Sequence, residues 1–302
     1  MSDSIAALNS RFALAGQLEF AEGPGGLPVA KVSNTQGEAM ISLSGGHVMT
    51  WNPKGEKPVL WLSGYAKFAP GKSIRGGVPV CWPWFGPHEK EAGFPGHGFA
   101  RTVPWTVDGT EALPDGSTCL TLTLQQSDAT RAQWPHPSSA QLIITVGHAL
   151  RIDLVTRNLG NAPFVLGEAL HTYFAVSDIR NAPIRGLEDC TYWDKAGGGQ
   201  TRTQEGAIVI GSEVDRVYLD TAADCTIDDA GLKRRIRIRK EGSRSTVVWN
   251  PWTEKAEKMG DFGPDGHLGM VCVESGNALG NVVSVAPGEA HTMTAIYSVE
   301  PL

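Results

Sequence analysis

The chain has 302 residues, 41% hydrophobic and 19% charged, the balance of a folded globular protein rather than a disordered one. Its 36 glycines and 19 prolines are scattered throughout, which suits many short strands joined by tight turns and not long helices. A net charge of −6 and a pI of about 5.8 argue against wholesale attraction to nucleic acid or an anionic membrane, so an anionic metabolite would need local arginines to bind.

The first segment, Met1 to Arg11, contains Asp3 and no long apolar stretch, so it does not read as a secretory signal. No run of about 18 apolar residues occurs anywhere, and a membrane span is not expected. Thr118 to Gln125 alternates, with Leu120, Leu122 and Leu124 on one face. Ala140–Val146 and Arg151–Thr156, joined by Gly147-His148-Ala149, read as a hairpin. Pro163 to Leu170 is an apolar, strand-like run, and the glycines from Gly197 to Gly199 read as a loop tip. Lys233 to Lys240 places Ile236 and Ile238 on one face and cations on the other, the pattern of an ordinary solvated sheet face. Ser245 to Trp249 follows as another strand. Trp252 to Met259 is the best short helix, with Thr253 as its N-cap, and His291 to Val299 closes the chain as a strand. With no internal repeat and no linker, one all-β domain over residues 1–302, a large antiparallel β-sandwich, is expected. Cys81, Cys119, Cys190, Cys225 and Cys272 are an odd, dispersed set without a CxxC pair, expected to be buried free thiols in a reducing cytoplasm.

The most unusual segment is Ser73 to His88, SIRGGVPVCWPWFGPH, followed by HGFAR from His97 to Arg101. Its prolines, glycines and aromatics cannot form a regular element, so it is expected to wrap the end or concave face of a sheet, where binding loops sit. Gly76 and Gly77 would let a ligand approach the backbone. Trp82, Trp84 and Phe85 offer flat faces to a sugar ring, or else belong to the core.

Together with LGEALHTYF (Leu166–Phe174), VDRVY (Val214–Tyr218), VWNPW (Val248–Trp252) and VCVESGN (Val271–Asn277), this segment resembles the glucose-6-phosphate 1-epimerase branch of the aldose 1-epimerase superfamily. The resemblance implies a galactose mutarotase-like supersandwich and a hexose-6-phosphate mutarotase without metal or cofactor. In such a reaction a base takes the proton of the anomeric hydroxyl and an acid protonates the ring oxygen, from opposite sides of the bond that opens. Glu274, a carboxylate ending an apolar strand, is costly unless paired or used; the resemblance makes it the general base. His171 alone reads more readily as a satisfied core histidine, and the resemblance reverses this and makes it the general acid. Arg75 and Arg101 are expected to clamp phosphate in a two-pronged geometry. The resemblance also places His97 and Asp215 at the substrate hydroxyls. One departure is Gly96, where some relatives carry a glutamine that touches substrate.

Three other readings remain open from residues alone. They are a mutarotase of unphosphorylated aldoses, a non-catalytic carbohydrate-binding sandwich, and a metal-dependent isomerase, which the lack of any HxH or closely spaced His/Glu set disfavours. A monomer with a sugar phosphate as its small-molecule partner is the expectation.

Overall fold

The computed structural model describes residues 3–302, so Met1 and Ser2 of the first segment lie outside it. Two eight-stranded antiparallel sheets form a sandwich. One runs Ile184–Arg185, Cys225–Asp229, Arg234–Glu241, Ala290–Pro301, Ala149–Asn158, Ser138–Val146, Thr118–Leu124 and Trp105–Ala112. The other runs Gln200–Thr203, Thr191–Asp194, Val214–Tyr218, Ser245–Asn250, Met270–Asn277, Glu168–Leu170 and Val80–Cys81, with Tyr173–Ala175 also paired to Met270–Asn277. A four-stranded sheet over Leu18–Pro53 and a two-stranded ribbon, Phe164–Leu166 with Val283–Val285, complete the strands.

Alternation builds the core as expected for half-buried strands. Leu120, Leu122, Leu142, Ile144, Ile236 and Ile238 of the first sheet share one hydrophobic cluster with Phe174, Val248, Val271 and Val273 of the second. Phe174 meets Tyr297 edge-on across the sandwich, with ring centres 5.0 Å apart. The hairpin forms with Gly147-His148 as its turn. The Gly197–Gly199 tip is closed by Asp194, whose carboxylate accepts from Gly197 N–H at 2.9 Å.

Several expectations change. The cations of Arg234–Glu241 do not all face water. Arg235 and Arg237 pair outward with Asp228 and Glu300, but Arg234 and Lys240 share the buried face with the isoleucines. Arg234 donates to the carbonyls of Lys57, Pro58 and Ala175, and Lys240 to those of Thr221 and Ser245 and to Thr246 Oγ1. Their long stems fill apolar space while fixed carbonyls replace water at the heads. The helix Trp252–Met259 forms, but Thr253 is inside it; Pro251 is the cap, and Asn250 Oδ1 accepts from Trp252 N–H. The Pro163–Leu170 run breaks at Gly167, whose N–H bonds Pro83 O and sends the two halves to different sheets. Cys81, Cys225 and Cys272 are buried, whereas Cys119 and Cys190 are only half-buried; all five thiols are free.

His47 makes the fold acid-sensitive. Its Nε2–H donates to Gly76 O at 2.8 Å. Burial first, then the charge of Arg101, pushes its pKa down to about 4 from 6.5, with the Gly76 bond opposing. The unfolded chain binds this proton first, so stability is full above pH 6.5 and falls as pH drops toward 4, by about 3 kcal/mol from this group. Urea unfolding at both pH values should show the loss, and His47→Gln should reduce it. An equal pH loss in the variant would contradict the assignment.

Candidate active site

The site lies on the face of the second sheet that points away from the sandwich core. Leu170 pairs with Ser275 and Tyr173 with Cys272, so the register sets His171 opposite Glu274. Directly opposed residues share a face. The row continues through Val247 beside Glu274, Trp249 beside Cys272, and Asp215 beside Trp249. A second apolar layer of Tyr173, Trp249, Phe262 and Met270, backed by Trp61, covers this face. It explains why the whole strand Met270–Asn277 is buried on both sides.

His171 Nε2 lies 3.4 Å from Glu274 Oε1. Glu274 is 1% exposed. Burial, with the negative charge of Asp215 adding, holds its carboxyl well above the usual carboxylate range, against the pull of Arg101 and Lys195. Burial likewise pushes His171 well below the usual histidine range, helped by His97, Arg101 and Arg75. Burial thus works against the charged form of each group. The two groups are ladder neighbours on one face of the sheet.

Arg75, Arg101, His97 and Asp215 stand around this pair, though not in equal states. Arg75 Nε donates to Asp261 Oδ1 at 3.0 Å and its Nη1 to the Tyr173 hydroxyl at 2.8 Å, with the guanidinium over Phe262. Arg101 donates to Gly96 O at 2.8 Å and, unlike Arg75, joins no ion pair among the described residues. Its charge reaches His97, His171 and Glu274. Gly96, where a side-chain contact was expected to be missing, thus serves through its carbonyl. His97 adopts φ +66°, with its N–H on Gly86 O at 2.7 Å and its Nδ1 accepting from Gly86 N–H at 3.3 Å. Burial, with Arg101 and Lys195 adding, pushes its pKa down to about 3, so the ring is neutral with Nε2–H as donor. Its ring centre is 5.9 Å from that of His171. Asp215 is flanked by Lys195 Nζ at 3.5 Å and Lys255 Nζ at 3.9 Å.

The tryptophans have other duties. Trp82 and Trp84 are core residues, with their N–H groups on Thr156 Oγ1 and Pro95 O; Phe85 alone stays half-exposed, against His97. The close approach at Gly76 and Gly77 is to protein. A Cβ would come within 2.5 Å of Trp61 O at Gly76 and 2.3 Å of Val48 O at Gly77, both at positive φ. Sequence reasoning missed Tyr173, Trp249, Asp261, Lys195 and Lys255. Tyr173 and Trp249 stood within the quoted motifs, and only strand parity relative to Glu274 could have marked them. Cys272 was seen only as a structural thiol; it now joins His171 and Glu274 in a cluster of potential metal donors.

Two adjacent titratable groups, set among arginines and aromatic rings, suit proton transfer between neighbouring oxygens of a polyol, and the sandwich that carries them has the galactose mutarotase-like fold. The aldose 1-epimerase family model matches residues 28–298, and the chain belongs to that family of isomerases. A Salmonella typhimurium protein provisionally named glucose-6-phosphate 1-epimerase is 38% identical over 265 residues, covering 87% of this chain and 86% of the relative. An Escherichia coli protein with the same provisional name is 39% identical over 253 residues, covering 83% and 84%. The solved structure of a provisional mutarotase from Salmonella typhimurium superimposes with a TM-score of 0.89 at 34% identity, covering 96% of each chain.

Proposed function

We propose that the protein interconverts the α and β anomers of a hexose 6-phosphate, with glucose 6-phosphate as the substrate to test first. The observation that carries this reading is the 3.4 Å separation of His171 Nε2 and Glu274 Oε1. The anomeric hydroxyl and the ring oxygen share one carbon, so an acid and a base side by side address both at once. Once the pair's proton has passed from Glu274 to His171 Nε2, Glu274 takes the proton of the C1 hydroxyl while His171 gives its own to the ring oxygen, and the C1–O5 bond opens to the aldehyde. The pair is then left with a protonated Glu274 and a neutral His171, the distribution that burial favours. Rotation about C1–C2 and the reverse transfers close the ring as the other anomer. These proton transfers call for neither metal nor nucleotide.

Arg101, which pairs with no carboxylate among the described residues, is the phosphate ligand in this reading. A phosphate there would offset the positive charge that opposes protonation of His171. Arg75 holds Tyr173 and the covering layer in place and lends charge from the second side. His97 Nε2–H donates to, and Asp215 accepts from, ring hydroxyls. The provisional name shared by the Salmonella and Escherichia relatives supports the phosphorylated substrate. The ion pair of Arg75 with Asp261 favours the second reading, a mutarotase of unphosphorylated aldoses, because it leaves one arginine uncommitted. Free thiols fit a reducing compartment, and a cytoplasmic monomer belongs to the same proposal.

The pH profile tests the shared proton. A working pair carries one proton in either of two arrangements, so the rate should stay flat across neutrality. It should fall on the acid side only where the pair gains a second proton, below the ordinary histidine range because burial depresses His171. On the alkaline side it should fall where the pair loses its proton, above the ordinary carboxylate range because burial raises Glu274. A profile governed by unperturbed groups, with limbs at roughly 4.3 and 6.5, would overturn the shared-proton account.

A further inference from the structure

Cys272 has no part in the anomerisation just described, yet it stands one step along the ladder from the reacting pair. The register pairs it with Tyr173 on one side and Trp249 on the other, on the same face as Glu274. Its Sγ, a ring nitrogen of His171 and a carboxylate oxygen of Glu274 all lie within 4.8 Å of one another. Two atoms of this group are buried without a hydrogen-bond partner among the described residues, Glu274 Oε2 and His171 Nδ1. Glu274 is 1% exposed, so its unpartnered oxygen needs a proton or a cation.

We propose that the anomerisation site is also an inhibitory site for a borderline-soft divalent cation such as Zn²⁺, held by His171, Cys272 and Glu274. Nitrogen and oxygen ligands about 2.1 Å from a tetrahedral zinc ion stand about 3.4 Å apart, which is the separation of His171 Nε2 and Glu274 Oε1. Sulfur, whose ligand atom lies within 4.8 Å of the other two, completes three protein ligands, and a tetrahedral ion would keep a fourth position for water or a sugar oxygen. Thiol, imidazole and carboxylate together select Zn²⁺ or Co²⁺ over Mg²⁺ or Ca²⁺, which prefer oxygen alone. On binding, the S–H bond breaks as the metal–sulfur bond forms and the proton leaves to solvent, with no change of oxidation state. The bound cation occupies the lone pairs that the base and acid use, and turnover stops.

The inhibition half rests on the proposed function; the binding half does not. Co²⁺ titrated into the full-length protein should produce a thiolate-to-cobalt absorption band that Zn²⁺ abolishes by displacement. Cys272→Ser should lack the band, and Cys81→Ser, altered at the neighbouring buried thiol, should keep it. In the anomerisation assay Zn²⁺ should inhibit reversibly, with activity restored by chelator. In Cys272→Ser the half-inhibitory concentration should rise at least about 10- to 100-fold, since losing a ligand costs no less than losing an outer partner. Absence of the band in the unmodified protein, or its persistence in Cys272→Ser, would overturn the site. Bound cobalt without any effect of Zn²⁺ on a working anomerisation would overturn its inhibitory role. A protein that binds cobalt through Cys272 yet never accelerates anomer exchange would retain the cation site and lose the function reading.

Discussion

Replacing Glu274 by Gln, or His171 by Asn, is expected to slow anomerisation of glucose 6-phosphate by about 10²–10⁴-fold each. The amide keeps the size of the carboxyl but neither accepts the hydroxyl proton nor returns it. Asparagine can donate a hydrogen bond where His171 stands, but it cannot carry a proton to the ring oxygen. Because the two groups act on one shared proton, the double variant should be little slower than either single one. Burial works against the charged forms of both groups, so neither substitution removes a stabilising ion pair, and circular dichroism should report intact sheets. A folded single variant that keeps near-full turnover would remove that residue from the reaction.

The second large effect separates the arginines. Arg101→Ala should raise KM for the phosphorylated sugar by about 10- to 100-fold, the worth of a hydrogen bond to a charged group. Anomerisation of free glucose should change far less. Arg75→Ala should act differently, because its guanidinium already holds Asp261 Oδ1 and the Tyr173 hydroxyl. Its loss leaves a half-buried carboxylate without its partner and frees the aromatic cover, so both sugars should suffer together with thermal stability. Steady-state kinetics on the two sugars for both variants decides this. Equal losses on the two sugars in Arg101→Ala would remove phosphate recognition and favour the unphosphorylated substrate.

Much of this architecture could be read in the chain. Alternation located Thr118–Leu124, the Ser138–Asn158 hairpin and the closing strand, because a sheet with one buried face imprints period two on its sequence. Glu274 stood out as a carboxylate in an apolar strand, and the register explains its convergence with His171 through a straight ladder. What stayed hidden depends on which face a residue takes and on what covers it. Arg234 and Lys240 carry the charge of a solvated face but fall on the parity of Ile236 and Ile238. Trp82 and Trp84 read as a sugar platform or as core, and only the packed loop shows the second to hold. The short helix Asp128–Gln133, with Ser127 and Thr130 as its capping box, escaped because its periodic stretch is too short to register. Asp261, Lys195 and Lys255 come from loops and a helix whose approach to the site is set by tertiary packing. The opposed protonation preferences of His171 and Glu274 follow from their burial, which no single-sequence pattern states.

Two-dimensional NMR exchange on an equilibrated mixture of glucose 6-phosphate anomers, with and without catalytic amounts of the protein, tests the central claim most directly. Cross-peaks between the α and β anomeric protons that grow with protein concentration, and persist in excess chelator, are the predicted result. Exchange no faster than in buffer alone, with sugar phosphate bound and the sheets intact, would contradict it.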